Sequence, residues 1–434
     1  MKNKLSVLIC LIVSTLTFGQ NFKQQFISTD IDNFWNAYDK IVSVTDTVLQ
    51  KKYLKEFYID KGTEGLKNLI EVRNYTEKDF LNVITNRPKF WNSIRQNTLD
   101  VKSHYAEIET AILKLKTQYP DLKPAVMYFS IGAFRTPGTT YENKVLIGSE
   151  FSLGAENTVV EELPKYLHSY YKQYKPLENL ALLSTHEYIH TQQKESNGSL
   201  LSNCLREGIA EFISCKVTEK KSNSPAIDFG KANQEAVINQ FVKDLYLISY
   251  DYNWLWGENK NQLKERDLGY YIGYEIAERY YNSSKDKSKA IKELIELDYS
   301  KEKEIAKITD ASHLFPKRLK ELNTEYEKQR PTVASIQPLI KGNKKLKSGL
   351  TKITIFFSEP LNGRSTGIDF GPLGKDYFPK LSPNRVWSED KKSITIEADL
   401  EPDKQYQFFI DNTFRKDNQV RLKPYLIEFS TEKK

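Results

Sequence analysis

Two histidines four residues apart, with a glutamate directly after the first, are the part of this chain best equipped for chemistry: His186-Glu187-Tyr188-Ile189-His190. On a helix that spacing stacks the imidazoles one turn apart on one face, so both rings aim at one point. Zinc takes imidazole nitrogen at about 2.0–2.1 Å, and the glutamate can reach a metal-held water and act as its base. The chain has only five histidines in 434 residues, so composition alone rarely delivers this run. A helix is expected beneath it. Pro176 suits a first turn, residues 177–193 hold no glycine or proline, and Leu182, His186 and Ile189 share a face.

Catalytic zinc takes three protein ligands and leaves a fourth position to water. A third histidine six residues on is absent, because Ser196 stands there, with Gln193 where that arrangement needs glycine. A di-iron carboxylate centre would need a second E-x-x-H, and Glu187 to His190 is the only one. Downstream, Leu205, Ile209 and Phe212 form a helical apolar stripe while Glu207 and Glu211 share a different face. The turn residues Asn197-Gly198-Ser199 let the chain reverse and return beside the first helix. Gly208 and Ala210 are small, so the second helix could approach closely enough for a carboxylate to reach a metal at about 2.0–2.2 Å. Glu211 either fixes the tautomer of a ligand histidine or is an ordinary surface or salt-bridge glutamate.

The pattern His186-Glu187-x-x-His190 followed by Glu207-Gly208-x-Ala210 resembles the gluzincin metallopeptidases, and most of all the secreted bacterial proteins described as predicted zinc-dependent proteases. The matching motifs occupy residues 182–212, with a looser likeness over about residues 26–281. The resemblance implies Zn2+ held by His186, His190 and Glu207, with Glu187 as general base and acid. It also implies a tyrosine on a later helix that donates to the oxyanion. Leu268-Gly-Tyr270-Tyr271-Ile-Gly273-Tyr274 is the helical stretch at a plausible distance, with Gly269 and Gly273 on one face for close packing; Tyr271 is the first choice and Tyr270 the second. In the same group an edge strand before the zinc helix binds extended substrate, a role that would fall to residues 145–153. Gly154-Ala155-Glu156-Asn157 after it is one residue short of the segment with which aminopeptidases of the group hold a substrate amine, and reads as a turn.

Residues 1–19 read as a signal peptide. Lys2 and Lys4 give a positive start, Leu5 to Leu16 an apolar core too short to span a bilayer, and Thr17-Phe18-Gly19 a small-residue exit with cleavage after Gly19. Lipidation at Cys10 is disfavoured by Ile9 before it and by the nine-residue approach. No later run reaches the ~20 apolar residues of a membrane span, so the mature protein is expected to be soluble and secreted or periplasmic. Cys204 and Cys215, if on one helix, stand roughly 16 Å apart and are expected to be buried thiols. With 64 basic against 57 acidic residues interspersed, a net +7, the surface is mixed and does not form a stripe for nucleic acid. The short basic run at residues 341–347 reads as a solvated turn.

Composition shifts near Pro331. Residues 20–330 read as mainly helical, with amphipathic segments at 285–297 and 316–328 and a small β-rich part at 125–130 and 145–153. Residues 331–434 carry short alternating runs, Ile353 to Phe357, Ile394 to Ile396, Tyr406 to Ile410 and Tyr425 to Phe429, which indicate a β-sandwich. Phe357-Ser-Glu-Pro-Leu361, Leu400-Glu-Pro-Asp-Lys-Gln-Tyr406 and Phe429-Ser-Thr431 resemble a bacterial Ig-like domain, here without cysteine and cored by Phe357, Trp387, Tyr406 and Phe429. The expected class is therefore α+β: a mainly helical zincin-like catalytic domain with a small mixed sheet, then an all-β Ig-like sandwich. The expected function is a secreted zinc metallopeptidase, a hydrolase acting on a peptide or protein substrate, with the Ig-like module open to a surface or polymer partner. The rival is a non-catalytic secreted or surface binding protein whose zinc centre is structural or unused.

Overall fold

The computed structural model describes residues 23–247, 251–257, 262–339, 344–411 and 413–433. The leader, its cleavage point, Cys10 and residues 341–343 of the basic run at 341–347 lie outside the described residues, while Lys345–Leu346 of that run form a short strand and not a turn. The chain is α+β, about 48% helical, with small sheets and a strand-rich C-terminal region. Contacts divide it into two compact units, Met1–Gln192 with Ser214–Lys221, and Gln193–Ile213 with Ser222–Lys434. Among the described residues no helix is long and apolar enough to cross a membrane.

The first unit packs helices on a four-stranded mixed sheet of β1 (Gln25–Ile27), β2 (Val126–Ser130), β3 (Gly138–Tyr141) and β4 (Lys144–Gly148), in the order β1-β2-β4-β3. β2 lies parallel to β1 and β4, and β3 closes the edge antiparallel to β4. The stretch 145–153, read as one edge strand, is neither. Its apolar run Val145-Leu146-Ile147 is buried on both faces, as a central strand must be, and the chain then turns into a helical turn at Ser149–Ser152. The edge is β3. Between β2 and β3 the loop is clipped by buried Glu150, whose carboxylate accepts from the amides of Gly132 at 2.8 Å and Phe134 at 3.1 Å. Burial, only partly offset by those amides, pushes the Glu150 carboxyl up to about 7.

In the second unit the strands after Pro331 form two four-stranded sheets. One runs β5 (Val333–Gln337), β7 (Gly349–Phe357), β10 (Ser393–Leu400), β9 (Lys380–Trp387), and the other β6 (Lys345–Leu346), β12 (Tyr425–Thr431), β11 (Gln405–Ile410), β8 (Ile368–Phe370). Alternate residues of both, among them Ile353, Ile355, Ile394, Ile396, Phe408 and Ile427, meet in one apolar core. Phe357, Tyr406 and Phe429 are buried in it, and Trp387 packs against it. The four alternating runs picked out of the sequence all lie in strands. The sandwich is fastened to the preceding helix Leu319–Gln329: Arg330 donates to the carbonyls of Arg421 and Leu422, and the Arg421 amide donates to the Tyr326 hydroxyl.

Candidate metal centre

The helix Leu180–His190 carries the first two donors, and it is set by its neighbours rather than by a cap. The Tyr188 hydroxyl accepts from the Ala125 amide at 2.9 Å and donates to the Lys123 carbonyl at 3.1 Å, tying the helix to the chain that enters β2. Ile189 is wholly buried. His186, Glu187 and His190 are each more than nine-tenths buried, and the Nε2 atoms of the two histidines face each other at 3.0 Å. Two nitrogens on one tetrahedral zinc sit roughly 3.3 Å apart, given bonds of about 2.0–2.1 Å. The rings thus already hold nearly the separation that a shared metal requires.

Glu207 lies on the helix Leu200–Thr218, which follows an Asx turn in which the Ser199 amide donates to Asn197 Oδ1. One ligand atom from each of His186, His190 and Glu207 falls within 4.8 Å of the others, and all three residues are buried. Two imidazole nitrogens and a carboxylate oxygen are a donor set that suits zinc. Among the described residues neither cysteine joins this group. Cys204 and Cys215 are both buried, as expected.

Glu187 is turned to the edge strand. A Cβ on Gly138, at the start of β3, would stand 2.6 Å from Glu187 Cγ, so glycine is what lets the carboxylate lie there. The Tyr170 hydroxyl is close enough to Glu187 and Glu150 to feel both charges. Neither Gly138 nor Tyr170 carries a signal in the sequence that marks it. Glu211 is buried and its Oε1 accepts from the Ser222 hydroxyl, an internal position and not a surface one.

The helix Leu268–Ser283 brings its two candidate tyrosines to different places. Tyr271 is buried against Gly230 and donates to Gln234 Oε1 at 3.3 Å. Tyr270 is hydrogen-bonded to Glu207. Burial first, and then the Glu207 charge, push its hydroxyl well above the ordinary value, so it stays a donor. Gly208 serves this helix. A Cβ there would land on the backbone of Gly273 and Tyr274, and one on Gly273 would land on the Cys204 carbonyl. The glycine read as easing the approach to the histidine helix thus belongs to the crossing with Leu268–Ser283. Arg206 adds a cation 3.9 Å from Glu207 Oε1.

A family model described as gliding motility protein GldB matches residues 19–307, about two thirds of the chain, and no peptidase family does. This overturns the gluzincin resemblance, and with it the peptidase function, the enzyme class and the hydrolase and metalloprotease labels. The physical reason is that H-E-x-x-H and a downstream glutamate specify where donors stand on helices. That geometry holds a metal whether or not a reaction follows. The peptide substrate and the roles of Glu187, Tyr271 and Tyr270 in hydrolysis lose their basis together. The family's label marks lipoproteins, which puts the chain with envelope-associated and not cytoplasmic proteins. No curated protein matches. Two solved structures do: the S-layer protein rSbsC and surface layer protein SbsC, domains 1-6. Each is 12% identical with a TM-score of 0.18, over 76% of this chain, and the chain spans about half of their length, 46% and 45%.

Proposed function

The chain belongs to the gliding motility protein GldB family, and from that membership we propose a non-catalytic, envelope-associated protein of surface motility that holds a structural Zn2+ on His186, His190 and Glu207. The family match carries the reading of function. The buried two-histidine, one-carboxylate cluster carries the metal. Burial favours a structural role, since the donors stand where a lost metal would leave polar atoms without water. The C-terminal sandwich is read as an Ig-like module that meets a surface or polymer partner outside the cytoplasm, after removal of the leader. The test is genetic. Deleting the gene in the source organism should abolish spreading over a surface, and both wild type and Glu187→Gln should restore it. A deletion strain that spreads normally would remove the motility role. Rescue by wild type but not by a folded, zinc-loaded Glu187→Gln protein would remove the non-catalytic one.

A further inference from the structure

Tyr270 and Glu207 meet because the backbones of their two helices touch. Gly208 and Gly273 leave no room for a side chain at the crossing, so the first turn of Leu268–Ser283 is brought against the middle of Leu200–Thr218. The phenol oxygen there has two partners, the Trp256 side chain and the Glu207 carboxylate. An indole N–H can only donate, so the Tyr270 oxygen accepts from it, and a phenol has one hydrogen left to give. That hydrogen goes to Glu207. Trp256 is itself held, since its amide donates to Asp267 Oδ1 at 2.8 Å. Arg206 stands 3.9 Å from the same carboxylate. Side chains that hydrogen-bond a ligating group fix its rotamer and tune its basicity, and removing them costs metal affinity.

We infer that Tyr270 is a positioning residue of the metal centre, donating its hydroxyl to Glu207 so that the carboxylate presents one defined oxygen to the ion. The inference rests on the metal centre of the preceding section. Tyr271, one residue on and bonded to Gln234 instead, is its internal control.

The experiment uses the full mature chain, with Zn2+ affinity measured by competition with a chromogenic chelator and the d–d spectrum recorded with Co2+ in its place. Tyr270→Phe keeps the ring and loses the hydroxyl. It should weaken Zn2+ about 10- to 100-fold and shift the Co2+ bands, with the metal-free protein unfolding at the wild-type temperature. Tyr271→Phe should leave affinity and bands unchanged. Unaltered affinity and spectrum in Tyr270→Phe, or equal losses in both variants, would overturn the assignment while leaving the centre standing. A wild-type chain that binds neither ion would overturn the centre itself.

Discussion

Two imidazole nitrogens 3.0 Å apart in a buried setting must share one proton or one metal, and the nearby Glu207 carboxylate favours the metal. His190→Ala should therefore lose most of the roughly one zinc per chain that elemental analysis finds in wild type, whereas Glu187→Gln should keep it. Equal zinc in His190→Ala would dismiss the centre. Chelation should lower the unfolding temperature, because an ion at 1,000 times its Kd adds about 4 kcal/mol to the folded state. A melting curve indifferent to chelator would count against a structural ion. At this scale the helices that carry His186, His190 and Glu207 were readable, since spacing shows which residues share a face. The contact of Tyr270 with Glu207 was not foreseen, although a clue was present. Tyr270 lies three residues before Gly273 and on the side of the glycine face, whereas Tyr271 points away from it.

At the level of elements, the sequence shows which segments are helical or extended but not which strand lies at an edge. The run Val145-Leu146-Ile147 is equally apolar in either place, and only its pairing with β2 and β3 decides. The glycines show the same limit, since close approach can be foreseen but not the partner. Gly273→Ala should lower the denaturant midpoint by the equivalent of about 1–3 kcal/mol, since the new methyl meets backbone that cannot swing away. Gly208→Ala should do the same, and a wild-type midpoint in either would show that the helices can separate at little cost. Glu150 provides a test against pH. Its folded value, about 7, lies above the ordinary 4.5, so between these the folded state binds more protons. Stability should fall as pH rises across that window, with a slope of at most about 1.4 kcal/mol per pH unit. Glu150→Gln should flatten the slope. An identical slope in the variant would place its origin elsewhere.

In the molecule as a whole, the change of texture at Pro331 was the most legible feature, because alternation with a period of two marks a half-buried strand directly. What it could not show is how the strands divide between sheets, nor that Arg330 and Tyr326 bind the sandwich to the last helix. Residues 331–434 produced alone should give a β-type circular dichroism spectrum and one cooperative melt, as the apolar core lies within them. A broad, non-cooperative melt would show that the helix is needed to complete it. The edges of the two sheets have a consequence of their own. β6 and β8 are two and three residues long, β9 carries Pro383, and the pairings of β5 and β9 are each broken by a register shift. Such edges offer an incoming strand few consecutive free amides and carbonyls. Sheets edged in this way resist growing into aggregates by the addition of strands from other copies of the chain.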